Sequence, residues 1–151
     1  MIIYQMLPRL WGDGTLGSID EASFEHFRSL GITHVWYTGL LEHATCTDYT
    51  AFGILRDHRA MVKGKAGSPY AIKDYYDIDP DLADDVNARM LEFENLVRRT
   101  HAAKLKVIID FVPNHVARNY HSDVRPAPQI GGDDDTTKAF SPMNNFYYFP
   151  R

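Results

Sequence analysis

Lys106-Val107-Ile108-Ile109-Asp110-Phe111-Val112-Pro113-Asn114-His115 decides how this chain reads. Val107, Ile108 and Ile109 form a continuous β-branched run, which reads as a strand buried on both faces. Pro113 has no N–H to donate to a central ladder, so the strand stops before it. Asp110, Asn114 and His115 therefore gather where the strand ends. In parallel α/β folds, the carboxyl ends of the strands are where reactive groups collect.

Upstream of this stretch the pattern alternates. A helix is expected from Asp84 or Asp85 to about Lys104. Val86, Met90, Phe93 and Val97 recur on one face of it, with Glu92, Glu94, Arg98 and Arg99 on the outer face. Thr33-His34-Val35-Trp36-Tyr37 is β-branched and aromatic and reads as a strand. Ser18-Ile19-Asp20-Glu21 fits a capping box, opening a helix that carries Phe24, Phe27 and Leu30 and stops at Gly31. Ile2-Ile3-Tyr4-Gln5-Met6-Leu7 reads as the first strand, closed by Pro8 and Arg9. Residues 38–83 read as one long irregular connection, too aromatic (Tyr49, Phe52, Tyr70, Tyr75, Tyr76) for a plain linker.

The order β-α-β-α-β favours a parallel sheet. Helix-to-strand joints are short and strand-to-helix joints are long, the asymmetry of a (β/α) barrel; a doubly wound sheet fits the same alternation. A whole barrel needs ~250 residues, and the 151 residues here hold about three of its strands. Beyond His115 the periodicity fades into Pro126, Pro128, Gly131, Gly132, the run Asp133-Asp134-Asp135 and an aromatic end, an irregular excursion rather than a fourth βα unit. The chain starts almost directly in a strand, so a longer natural protein is expected.

The net charge of −4 and the lack of a Lys/Arg stripe argue against nucleic acid as a partner. A hydrophobic fraction of 44% supports a real core. Cys46 is the single cysteine, which rules out an intrachain disulfide. No run approaches the ~20 apolar residues of a membrane helix. The first ten residues lack a signal-peptide pattern, which leans towards a cytoplasmic location while leaving location open.

Several residues invite chemistry, and each has a plainer reading. Asp110 follows a buried run and so needs a hydrogen bond or a cation; a satisfied structural carboxylate serves as well as a chemical one. His115 suits a ligand hydroxyl or a metal, or is a loop histidine. Asn114 offers an oxygen suited to Ca²⁺. Tyr70 can stack on a flat ligand or pack on a rim. Asp74, Asp77 and Asp79 suit ligands or caps, and Asp79-Pro80 a turn. Asp133–Asp135 lacks EF-hand spacing and reads as solvated loop. His43 and Cys46 have a metal-like gap without a second pair.

Asp110-Phe111-Val112-Pro113-Asn114-His115 resembles the D-x-V-x-N-H region of glycoside hydrolase family 13, the α-amylase family. Tyr4-Gln5-Met6-Leu7-Pro8-Arg9 is similar to that family's Y-Q-x-x-P-R opening, and Leu30-Gly31-Ile32-Thr33-His34-Val35-Trp36 to its L-G-V-x-x-x-W strand. Tyr70 with Asp74-Tyr75-Tyr76-Asp77-Ile78-Asp79-Pro80 resembles its Y-x-x-x-D-Y-x-x-I-D-P segment. His101 and Lys106–Asp110 resemble its A-H-x-x-G-x-K-V-I-x-D.

The resemblance implies the N-terminal portion of a (β/α)8 TIM barrel. Residues 1–115 would form about three βα units, and residues 116–151 the start of the irregular domain B. It implies an enzyme acting on α-glucosidic bonds of starch-like glucans or oligosaccharides by a retaining double displacement, as hydrolase or α-glucan transferase. Tyr70 would stack under the sugar and His115 would bond one of its hydroxyls. Asp110 would hold an active-site arginine, and Asn114 would ligate a structural Ca²⁺; no other cofactor is implied. Departures from the pattern are Pro69-Tyr70-Ala71 in place of G-Y-D and Lys104 in place of a helix-ending Gly. The family's G-x-R-x-D nucleophile motif does not occur in these 151 residues. No catalytic residue is therefore expected here, and the isolated chain is expected to be inactive. Exposed barrel edges predict self-association. The rival readings are a non-catalytic carbohydrate-binding homologue and a small α/β metal protein using His115.

Overall fold

The computed structural model describes residues 1–149. In chain order it contains β1 (Ile3–Met6), α1 (Glu21–Ser29), β2 (His34–Tyr37), β3 (Leu41–His43), β4 (Ile72–Ile78), α2 (Arg89–Ala102) and β5 (Lys106–Ile109). β1, β2 and β5 form one parallel sheet in that order, with Tyr4 level with Val35 and Val35 with Val107. β3 and β4 form a separate antiparallel pair. The parallel strands are an open arc and not a closed barrel.

The core lies where both helices meet the parallel sheet. Val35 and Tyr37 of β2 are buried with Phe24 and Phe27 of α1, Leu96 of α2, and Leu16, Ile19 and Leu105 from the joints. The Tyr37 hydroxyl lies 2.7 Å from Thr100 Oγ1, and Thr100 Oγ1 also donates to the Leu96 carbonyl at 2.8 Å. A buried hydroxyl without a partner is costly, so this pair sets how α2 sits on the middle strand.

The helix ends correct several expectations. Asp20, not Ser18, caps α1: its carboxylate accepts the Ser23 N–H at 3.0 Å. Ser18 instead closes the preceding loop, donating to the Trp11 and Thr15 carbonyls. Leu30 lies past the last turn and is exposed, while Phe24 and Phe27 are buried. α2 starts at Arg89, after a 3-10 turn (Val86–Ala88) whose Asp85 carboxylate accepts the Asn87 N–H. Its inner face is Arg89, Phe93, Leu96 and Thr100 rather than Val86, Met90, Phe93 and Val97. The stripe is rotated because Arg89 and Thr100 are held inside by polar partners, which a count of apolar residues does not register.

The long connection is more ordered than its sequence suggests, since β3 and β4 both lie within it. Charged side chains in β4 hide the strand from a hydropathy pattern. Val107–Ile109 is not buried on both faces: β5 has one neighbour, and Ile109 is 48% exposed. After Ile109 the described residues contain no further strand or helix, but the segment is anchored to β4. Ala117 N–H donates to the Ile72 carbonyl at 2.7 Å, and His121 N–H to the Lys73 carbonyl at 2.9 Å. Among the described residues no helix is long and apolar enough to cross a membrane.

Both helices end in the same hydrogen-bonded pattern. Ile32 N–H reaches back to the Phe27 carbonyl with Gly31 at φ 74°, and Leu105 N–H reaches back to Thr100 with Lys104 at φ 64°. The left-handed position suits glycine at the first helix and strains lysine at the second. Lys104→Gly is expected to raise stability by about 0.5–1 kcal/mol, the relieved strain exceeding the added chain entropy. A urea melt in which K104G unfolds no later than the parent would contradict that account.

Candidate functional site

The parallel strands end at a common point, and Gly39 is its hub. Thr38, just after β2, donates from its N–H and its hydroxyl to the Met6 carbonyl at 2.9 and 3.1 Å. The next residue, Gly39, donates its N–H to Asp110 Oδ1 at 3.3 Å. Asp110 therefore ties the end of β5 to the end of β2, and it is half-buried, as a carboxylate with a backbone partner can be. Gly39 sits at φ +68°, and a Cβ there would lie 2.7 Å from Pro69 Cβ and 2.9 Å from Leu7 Cδ1. The loop bearing Tyr70 is thus pressed against the ends of β1 and β2.

Two further contacts hold that loop. Arg9 Nη1 donates to the Gly67 carbonyl at 3.2 Å. Gly67 lies at φ +68°, so close to the Ala44 carbonyl that a side chain has no room. The Tyr70 ring is 49% exposed. On the other side, Tyr75 steadies the turn after β5: its hydroxyl donates to the Val112 carbonyl at 2.5 Å, and its ring centroid lies 5.3 Å from that of Phe111. Asn114 and His115 are exposed on this turn. The result is an open face carrying the exposed rings of Tyr70 and Phe111, an imidazole, an amide and a backbone-tied carboxylate. It offers hydrogen-bonding groups and flat apolar rings to solvent side by side. Ca²⁺ takes 6–8 oxygens; the Asn114 side chain offers one, and among the described residues the group of acidic side chains close enough to share an ion lies elsewhere.

That group belongs to the second sheet. Lys73, Asp74 and Asp77 of β4 and Glu42 of β3 are all buried. Arg89 of α2 donates through Nε to Asp77 Oδ2 at 2.7 Å and through Nη2 to Asp77 and to Asp123, the latter at 3.0 Å. Lys73 Nζ lies 3.1 Å from Asp57 Oδ2 and 3.6 Å from Glu42 Oε1, and also donates to the Leu55 carbonyl. Burial pushes the Glu42 carboxyl up to about 8 against the pull of Lys73. Burial also raises Asp74 and Asp77, opposed at Asp77 by Arg89. The Ser122 hydroxyl favours charged Asp74, yet Asp74 Oδ2 has no completed hydrogen bond.

His43 forms its own buried pair. Its Nδ1 lies 2.5 Å from Asp79 Oδ2 and 3.2 Å from the Leu41 carbonyl, and its Nε2 lies 3.0 Å from the Ala66 carbonyl. Burial opposes the charged ring, but these acceptors together raise its pKa. Both nitrogens face acceptors, so the ring is satisfied only as the doubly protonated cation. Cys46 is not brought to it; the thiol faces the Gly64 carbonyl instead. Asp134 is not mere solvated loop either, since its carboxylate accepts the Asn145 and Phe146 N–H groups at 2.8 Å each.

With this geometry in view, the relatives are informative. The model of the alpha-amylase catalytic domain matches residues 10–145. The chain belongs to the α-amylase family. Among solved structures, an alpha-amylase from Lactobacillus plantarum is 26% identical with a TM-score of 0.60, covering 78% of this chain and 24% of that one. A maltogenic alpha-amylase from Thermotoga neapolitana is 29% identical with a TM-score of 0.59, covering 80% of this chain and 24% of that one. These matches are to TIM-barrel enzymes, so the open parallel arc corresponds to part of such a barrel. Among curated proteins, an amino acid transporter heavy chain of Mus musculus is 32% identical over 121 residues, and an alpha-glucosidase of Apis mellifera is 28% identical over 153. The chain spans 14% and 21% of the lengths of these two relatives.

In this α-amylase-family chain the motif residues Tyr70, Asp110, Asn114 and His115 were legible in the sequence, whereas the hub Gly39 and the Glu42–Lys73 pairing were not. The available signal was charge inside a strand-length segment, Lys73-Asp74-Tyr75-Tyr76-Asp77. Gly39→Ala forces a Cβ into Pro69 and Leu7 at a left-handed φ, and is expected to cost about 1–3 kcal/mol. A chemical melt of G39A within about 0.5 kcal/mol of the parent, the range of a neutral surface change, would refute the close approach.

Proposed function

We propose that this chain forms the sugar-seating part of an α-amylase-family enzyme. That enzyme acts on α-glucosidic bonds of starch-like glucans or oligosaccharides by a retaining double displacement. The observation that carries the reading is the tie between Asp110 and Gly39, which sets the D-x-V-x-N-H turn beside the Tyr70 loop at the strand ends. Tyr70 would stack under a sugar ring and His115 would bond one of its hydroxyls. Asp110 would position an arginine and Asn114 would give one oxygen to a structural Ca²⁺, whose remaining ligands would come from outside this turn. Residues 1–115 would be the first βα units and 116–151 the start of domain B; the hydrogen bonds from Ala117 and His121 to β4 suit an excursion that leaves the barrel and packs back on it.

A retaining mechanism needs a nucleophile and an acid/base carboxylate about 5–5.5 Å apart, and the G-x-R-x-D motif that carries the family's nucleophile is not in these 151 residues. The isolated chain is therefore expected to bind maltooligosaccharides weakly and not to cleave them. Titration calorimetry with maltotriose should show a binding loss of at least ~5-fold for Tyr70→Ala, as stacking is worth about a kcal/mol or more. Equal binding by Y70A would remove the sugar seat, and reproducible release from a p-nitrophenyl maltooligosaccharide would overturn the inactivity.

A second reading is a non-catalytic homologue, which gains weight from a 32% identical relative named as a transporter heavy chain. A transferase gains weight from a cyclomaltodextrin glucanotransferase of Bacillus licheniformis that is 28% identical over 108 residues. The gene sequence beyond Arg151 separates catalytic from non-catalytic readings, since a G-x-R-x-D segment is either present or missing there. Product analysis of the protein it encodes separates hydrolysis from transfer.

The open arc also supports self-association. β1 and β5 are edge strands, and Ile3, Ile109 and Phe111 are exposed on and beside them. Light scattering of the chain at rising concentration is expected to show dimers or larger species. A mass that stays at the monomer value throughout would argue against it.

A further inference from the structure

The second sheet carries more negative charge than its cations can match. Glu42, Asp57, Asp74, Asp77 and Asp123 face Lys73 and Arg89, five carboxylates to two cations. Glu42 is 1% exposed and Asp74 0%. Both Glu42 oxygens, Asp74 Oδ2 and Asp123 Oδ1 are buried without a hydrogen-bond partner. Neither cation reaches these open oxygens with a hydrogen bond. Lys73 serves Asp57 and the Leu55 carbonyl and stands 3.6 Å from Glu42, beyond hydrogen-bond reach. Arg89 forks onto Asp77 and Asp123 and donates through Nη1 to the Val86 carbonyl. Carboxylates buried in this way either take up a proton or meet a further positive group.

The donor set says which kind. One carboxylate oxygen from each of Glu42, Asp74, Asp77 and Asp123 lies within 4.8 Å of the others. A cage made of several protein carboxylates suits Ca²⁺, whereas Mg²⁺ keeps several waters and is held through one or two carboxylates. The donors are all hard oxygens, which disfavours zinc. We propose that Glu42, Asp74, Asp77 and Asp123 form a Ca²⁺ site that clamps the segment after β5 onto β3 and β4. Glu42 comes from β3, Asp74 and Asp77 from β4, and Asp123 from the excursion. The ion would thus fasten three parts of the chain, adding to the β-ladder, the backbone hydrogen bonds and the Arg89 bridge between Asp77 and Asp123. The site is separate from the exposed Asn114 on the turn after β5.

The chain stripped with EDTA and dialysed against radioactive Ca²⁺ near neutral pH tests this. The parent and Asn114→Ala are both expected to bind at this site at or below about millimolar Ca²⁺, the weak end of protein calcium sites. Glu42→Gln and Asp74→Asn are each expected to weaken that binding at least ~10-fold, the minimum seen when a metal site loses supporting oxygen contacts. Thermal melts supply a second readout. Ca²⁺ should raise the parent's melting temperature and leave that of E42Q nearly unchanged, and in EDTA E42Q should melt no lower than the parent. Failure of N114A to bind Ca²⁺ at millimolar concentration overturns the proposal, as does a preference for Mg²⁺. So does an E42Q that binds like the parent, or one that melts lower than the parent in EDTA, which would make Glu42 a structural partner of Lys73.

Discussion

The parallel sheet and the two helices packed on it are registered on the middle strand β2. It pairs in parallel with β1 on one side and β5 on the other, so its own ladder fixes where both neighbours end. Its side chains do the same for the helices: Val35 and Tyr37 are buried against them, and the Tyr37 hydroxyl meets Thr100 of α2. Immediately beyond it, Thr38 and Gly39 fasten the ends of β1 and β5. A one-residue slip in this ladder would invert every side chain of a neighbouring strand. It would also break the alignment of Asp110 with the Gly39 amide.

Two different solutions to buried polarity follow from that frame. At the strand ends, Asp110 is held by a backbone amide and stays partly solvated. In the second sheet, the charges are taken out of water and must satisfy one another. A buried ion pair repays its desolvation only with full hydrogen bonding. Arg89 goes furthest, donating to Asp77, Asp123 and the Val86 carbonyl, and His43 lies against Asp79 and two carbonyls. Glu42 has neither oxygen hydrogen-bonded, whereas Asp74, Asp79 and Asp123 each leave one oxygen open.

The parts of the fold legible in the sequence share a property: their signal is local. The strand before Asp110, the helix with Phe24 and Phe27, and the motif residues Tyr70, Asp110, Asn114 and His115 could be placed from neighbours a few positions away. The capping of α1 was nearly legible, but Ser18 and Asp20 compete for the role two residues apart, and Asp20 caps because its carboxylate reaches the Ser23 amide. β4 was illegible because its inward positions hold Lys73, Asp74 and Asp77, which a hydropathy pattern reads as loop. The inner face of α2 was misplaced for the same reason, since a buried arginine and threonine look like surface.

By itself, then, the sequence determined the family pattern, the alternation of strands and helices and the identity of the polar residues at the strand ends, because each rests on residue type and short spacing. Tertiary structure decided the rest. It made β5 a half-exposed edge, set Gly39 as the hub between residues 7, 69 and 110, and gathered Glu42, Asp74, Asp77 and Asp123 into one place. Those contacts join residues some 30 to 80 positions apart. Whether a charge is buried beside a partner at such a distance depends on how the chain closes in space, and no local pattern of residue types carries that information.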